Sequence, residues 1–120
     1  KASAFSSLVQ LRYLSALKHV DIMIGNSSSG ILEFPFFKKP TINIGDRQKG
    51  RLMPQSIINC KPYSADIDKA LQKAEDPVFL RKIVEQPYIF GDGTATERIM
   101  KVIKSFGIHT LKKPFYDISF

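Results

Sequence analysis

An apolar run, Ile22-Met23-Ile24, stops at Gly25-Asn26, passes through Ser27-Ser28-Ser29-Gly30, and resumes as Ile31-Leu32 before a lone acid, Glu33. Few local folds accommodate that order. A short apolar run bounded by glycine reads as a buried strand, and serines ahead of an apolar segment read as a helix start. The stretch therefore predicts a strand over Asp21–Gly25, a tight turn, and a helix over about 29–37. Such a turn aims backbone N–H groups and serine hydroxyls at the space above the helix start, where the helix dipole favours negative charge. Phosphate is the guest this chemistry fits. Pro35 falls after the first turn and Lys38-Lys39-Pro40 stops the pattern, so the helix is expected to be short or bent.

The rest of the chain arranges itself around this unit. Leu8, Leu11, Leu14 and Leu17, with Tyr13 and Val20 beside them, recur at helical spacing and predict a helix over 8–19. Lys18 and His19 at its end complement the helix dipole, and decoration of that kind is the commoner role for such a histidine. Thr41–Ile44, bounded by Pro40 and Gly45, predicts a second strand, and Ser56–Cys60 a third. Between them runs a polar loop carrying Arg47, Gln48, Lys49 and Arg51. Ser64 is placed to cap a helix over 65–74 whose inner stripe is Ile67, Ala70, Leu71 and Ala74. Pro77 suits the first turn of the next helix, with Phe79, Leu80, Ile83 and Val84 facing inward. After the glycine-punctuated Tyr88–Gly93, Thr94 and Glu97 read as a capping box for a last helix over 95–106. Ile99, Met100, Ile103 and Phe106 form its expected core face.

Three short strands separated by helical segments predict an α/β layer structure with a mostly parallel sheet. Ligands of such sheets sit at the carboxyl ends of strands. The serine turn and the Gly45–Arg51 loop both lie on that edge and are expected to flank one site. There is no G-x-G-x-x-G dinucleotide fingerprint and no P-loop signature, so the phosphate reading rests on the serine turn.

Composition bounds the alternatives. At 120 residues and 43% hydrophobic content the chain reads as one domain with a single core. No apolar run approaches the roughly 18–20 residues that span a bilayer, which predicts a soluble protein without a membrane role. Cys60 is the single cysteine, so no internal disulfide and no multi-cysteine zinc site can form, and it reads as a small buried residue suited to a reducing cytoplasm. The net charge of +7 is spread along the chain with no aromatic-interleaved basic motif, which argues against nucleic acid and suits a small anionic ligand or an acidic neighbour. The chain opens on Lys1 without a leader pattern, which predicts a piece of a longer protein.

Each candidate site residue has an ordinary reading beside the functional one. Ser27, Ser28 and Ser29 fit helix caps, although three consecutive hydroxyls exceed what capping requires. Glu33, one turn on, is either a surface acid or an acceptor for a vicinal diol such as ribose. Arg47 is a phosphate fork or a solvated loop charge. Asp92, between Gly91 and Gly93, reads as a turn residue at a helix entry.

Gly25 through Glu33, then Pro40 through Arg51 with its Gly45-x-Arg47-Gln48-x-Gly50-Arg51 run, then Phe90-Gly91-Asp92-Gly93-Thr94, occur in an order and spacing that resemble the C-terminal domain of UDP-N-acetylglucosamine 2-epimerases. The resemblance covers residues 5–106 and is nearest the hydrolysing branch, which releases UDP and an N-acetylmannosamine-type sugar for sialic-acid-like synthesis. It implies a Rossmann-like parallel sheet with flanking helices, part of the C-terminal lobe of a two-domain enzyme of the GT-B type. Residues 1–107 would be a partial UDP-binding domain and 108–120 a tail whose Phe115, Tyr116, Ile118 and Phe120 go beyond the family pattern. It further implies that Ser27, Ser28, Ser29 and Gly30 bind the diphosphate, that Glu33 binds the ribose and Arg47 the nucleotide, and that Leu8 lies against the uracil. No catalytic residue, metal or cofactor is expected in this stretch, since the family's acids and histidine belong to the N-terminal lobe. The implied partners are UDP-N-acetylglucosamine, that lobe, and a second copy in a homo-oligomer, because a three-stranded sheet leaves an edge to pair. A non-hydrolysing epimerase, another GT-B enzyme, and a UDP-binding module without chemistry remain the alternative readings.

Overall fold

The computed structural model describes residues 1–107, so the aromatic tail lies outside the described residues. Two units are present, Lys1–Phe90 and a second beginning at Gly91. The first contains α1 (Val9–His19), β1 (Met23–Gly25), α2 (Ser29–Leu32), a 3₁₀ turn at Phe34–Phe37, β2 (Thr41–Ile44), β3 (Ile57–Cys60), α3 (Ser64–Glu75) and α4 (Pro77–Glu85). The second contains α5 (Ala95–Ser105).

The three strands form one parallel sheet in the order β1-β2-β3. Register aligns Ile24, Ile42 and Ile58 in one row, flanked by the rows Met23-Thr41-Ile57 and Gly25-Asn43-Asn59. Side chains alternate between faces along a strand, so the isoleucine row looks one way and the two flanking rows the other. On the isoleucine side, Ile42 and Ile58 pack with Ala70 and Ala74 of α3, and Ile22, Ile44, Cys60, Leu71 and Phe79 close round them. This is the Rossmann-like arrangement of a parallel sheet with flanking helices. Of the inner stripe expected for α3, Ala70 and Ala74 are buried and Leu71 packs against them, while Ile67 is half-buried outside this cluster, and the small alanines let the helix lie close to the strands. Each large side chain fully withdrawn from water here, Ile42 among them, contributes about 1.5–3 kcal/mol.

On the other side α2 lies across β1 and β2. Gly30 makes this possible: a Cβ there would come within 2.7 Å of Thr41 Cγ2. Thr41 Oγ1 in turn donates to the Gly30 carbonyl at 2.7 Å, tying helix to strand. As Pro35 foretold, the helix is a single turn that tightens into the 3₁₀ segment, ended by Lys38 in the left-handed region (φ 58°). Phe34 and Ile31 are fully buried beneath it.

Several local expectations are corrected. Ser64 is not a cap but the first helical residue of α3, with Tyr63 at the cap position and no side-chain cap bond. The Thr94–Glu97 capping box does not form; Thr94 turns its hydroxyl back to Asp92 instead. Of the α1 stripe only Leu17 is buried, and Leu11 is exposed. Val84 of α4 is exposed while Ile83 beside it is buried. The face of α5 carrying Ile99, Met100, Ile103 and Phe106 is solvent-exposed among the described residues, so a helical period marks amphipathicity without supplying a partner. Cys60 is half-buried at the rim of the core.

Candidate functional site

Parallel strands deliver their carboxyl ends to one edge, and there β1 runs into the serine turn and β2 into the Gly45–Arg51 loop. Gly25 (φ 152°) and Gly45 (φ 77°) open these two departures with backbone angles that side-chain-bearing residues avoid. The two loops meet. Gln48 Nε2 donates to the Asn26 carbonyl at 2.8 Å, and Arg47 Nη1 reaches Asn26 Oδ1 at 3.5 Å.

Within the turn each serine has its own surroundings. Ser27 Oγ accepts the Ser29 N–H at 3.3 Å, and the Ser27 carbonyl accepts the Gly30 N–H. Ser28 stands at the helix start, half-buried, with no side-chain capping bond. Its hydroxyl is uncommitted among the described residues. Ser29 donates its hydroxyl to Glu33 Oε2, one helical turn on. Because that proton is spent, the hydrogen bond between Ser29 Oγ and the Tyr13 phenol must be donated by Tyr13. Glu33 is thereby aimed back along the turn while remaining open to solvent. Asn43, almost fully buried on the same face of the sheet, donates to Asn59 Oδ1 at 2.8 Å.

The arrangement collects a half-buried serine hydroxyl, a helix start, a carboxylate one turn away and a guanidinium across the mouth. That set suits an anion joined to a diol: serine and helix start for the anion, Arg47 for a second anionic group, Glu33 for paired hydroxyls. Ser27, Ser28, Ser29, Gly30, Glu33 and Arg47 are brought to one edge. Leu8 is half-buried at the start of α1 and makes no hydrogen bond to the turn among the described residues. Sequence reasoning passed over Tyr13, Asn26 and Gln48. Tyr13 sat inside an apolar periodicity, and Gln48 sat in a loop too polar to announce a buried side chain.

Two groups elsewhere have displaced titrations. Hydrogen bonds from the Thr94 hydroxyl and then its backbone N–H hold the Asp92 carboxyl below its usual range. Burial, and then the Asp66 carboxylate, push the Cys60 thiol up. No group of His, Cys, Asp and Glu among the described residues is disposed to hold a metal ion. No helix among them is long and apolar enough to cross a membrane.

The family profile of UDP-N-acetylglucosamine 2-epimerases matches residues 1–104 of this chain. The chain belongs to that family. It is 43% identical over 120 residues to the GDP/UDP-N,N'-diacetylbacillosamine 2-epimerase (hydrolyzing) of Campylobacter jejuni, covering 98% of this chain and 31% of that protein. It is 38% identical over 107 residues to a UDP-N-acetylglucosamine 2-epimerase of Neisseria meningitidis, covering 88% and 28%. It is 30% identical over 98 residues to the UDP-N,N'-diacetylbacillosamine 2-epimerase (hydrolyzing) of Legionella pneumophila, covering 82% and 25%. Within the family this 2-epimerase domain stands nearest the hydrolysing branch. The chain spans under a third of the length of these relatives.

Proposed function

We propose that this chain is the UDP-binding part of a hydrolysing UDP-sugar 2-epimerase. The observation that carries the reading is the convergence of Ser27, Ser28, Glu33 and Arg47 at one sheet edge, in a member of this family. Ser27 and Ser28, with the backbone through Gly30, take the diphosphate; Glu33 takes the ribose hydroxyls; Arg47 closes on the nucleotide from the neighbouring loop. Leu8 lies toward the uracil. The remainder of a family-length protein supplies a first lobe of the GT-B kind, with the acids and histidine that move protons on the sugar.

In that protein the C2 proton is removed and the C1–oxygen bond to UDP breaks, leaving a glycal. Addition of water across its double bond then gives the free 2-epimerised N-acetylmannosamine-type sugar, so UDP-sugar and water become UDP and sugar. The part played by this chain is electrostatic. Donors fixed before reaction stabilise the charge that develops on the departing diphosphate.

Calorimetric titration with UDP, on a protein of the relatives' length that includes this chain, tests the reading. Saturable binding weakened in both Glu33→Ala and Arg47→Ala supports it; a folded protein that ignores UDP removes it. Product analysis with UDP-N-acetylglucosamine then separates the branches, since retained UDP-sugar would place the protein on the non-hydrolysing side.

A further inference from the structure

Gln48 is 3% exposed, although it lies in a loop of charged and exposed residues. Its Nε2 donates to the Asn26 carbonyl, and its Oε1 is buried without a partner among the described residues. Only the amide nitrogen can face a carbonyl, so the donor bond to Asn26 fixes which end of the group is left orphaned. Burying an unpaired acceptor is unfavourable, and a side chain kept only for packing would be better served by methionine or leucine. The amide is therefore held for the one bond it makes.

That bond ends on the residue immediately before Ser27. Asn26 is gripped from both sides of its own chemistry, its carbonyl by Gln48 and its side-chain oxygen by Arg47, and the two donors are consecutive. The backbone entering the serine turn is thus registered against the loop that carries Arg47. Without the Gln48 bond, the long 3.5 Å contact of an exposed arginine would be the one hydrogen bond joining the two loops among the described residues.

We infer that Gln48 is a positioning residue of the nucleotide site, which sets the serine turn and Arg47 in register so that both engage one diphosphate. This rests on the UDP-binding reading above. It assigns Gln48 to the phosphate end of the ligand before the nucleoside end, because Asn26 immediately precedes Ser27, whereas Glu33 lies at the far end of α2, which the Thr41–Gly30 hydrogen bond holds to β2 independently of Gln48.

The test compares UDP with uridine, which lacks phosphate, on wild-type and Gln48→Met forms of a family-length protein. Methionine fills the space and removes the donor. UDP affinity should fall about three- to tenfold, the worth of one lost neutral hydrogen bond between the two loops, while uridine affinity changes less than about twofold. Equal losses for both ligands would mean a general structural role and overturn the inference. Unchanged UDP affinity in the variant, with tight binding by the wild type, overturns it alone; wild-type protein that does not bind UDP overturns the functional reading together with it. Should Gln48→Met fail to fold, the wild type carries the test. The side-chain amide resonances of Gln48 must move on adding UDP and stay in place with uridine, and resonances indifferent to UDP overturn the assignment.

Discussion

At the scale of single residues, Gly30 is the position where sequence and architecture are most tightly joined. A methyl group there would meet Thr41 Cγ2 at 2.7 Å, and both atoms sit on backbone held by the Thr41–Gly30 hydrogen bond. Gly30→Ala is expected to destabilise the protein by about 1–3 kcal/mol, the usual range for overpacking, despite alanine's better helix propensity. Gly30→Ala combined with Thr41→Ser, which removes Cγ2 and keeps the hydroxyl, should recover most of that loss in urea unfolding. If the pair is as unstable as the single variant, the close approach is not the cause. Asp92 gives a second residue-scale expectation. Its Oδ1 accepts from Thr94 Oγ1 at 2.7 Å, Thr94 N at 3.0 Å and Arg98 Nη2 at 3.2 Å, and its pKa is lowered from the ordinary 3.8. A carboxylate whose folded-state pKa is depressed contributes stability above its ordinary value and loses it as pH falls through the depressed one. Carbon-13 NMR of the Asp92 carboxyl should titrate below 3.8 in the wild type and move upward in Thr94→Val. A midpoint unmoved by that substitution would show that the hydroxyl is not the dominant cause.

At the scale of elements, hydrophobic spacing and proline placement were legible, and polar side-chain partners were not. The strands, the α3 stripe and the bent α2 follow from apolar runs, from Ile67 to Ala74 at helical spacing, and from Pro35. That the serine turn, Glu33 and Arg47 share one sheet edge was legible because strand, turn and helix chemistry are local. The cap at Ser64 was misread by one residue, since α3 begins on it, and the cap at Thr94 because a hydroxyl near a helix start has competitors, here Asp92. Gln48 escaped because burial of one loop side chain depends on where a second loop comes to lie. Lys39 escaped for the same reason. It reads as part of a helix stop, yet its Nζ donates to the Lys18 carbonyl at 2.8 Å and to the Val20 carbonyl, closing the last turn of α1 from across the chain. Lys39→Met should therefore fray the end of α1, losing about 1 kcal/mol of local protection in amide hydrogen exchange. Protection unchanged at residues 17–20 would mean that the backbone bond from Val20 N to Ala16 O suffices.

At the scale of the whole molecule, the sheet is unevenly covered. Along a single row of side chains, Ile42 is 0% exposed, Ile58 6% and Ile24 50%, so among the described residues the core that α3 builds over β2 and β3 stops short of β1. Parallel strands are ordinarily buried on both faces, which makes an open isoleucine at β1 a site for other structure to cover. Under the proposed function that cover is the rest of a protein some three times longer, whose relatives share only the matched segment with this chain. The consequence is a change of sign with context. In the 120-residue chain alone, Ile24→Thr removes exposed apolar surface from a strand that threonine tolerates, so stability should hold while self-association in sedimentation falls. If the rest of a family-length protein covers that face as proposed, Ile24→Thr should there destabilise by about 1–3 kcal/mol through lost apolar contact and a hydroxyl withdrawn from water. A substitution neutral in both settings would mean that the β1 side of the sheet faces solvent in the intact protein. The serine turn, which β1 feeds directly, would then have to hold its nucleotide without support from behind.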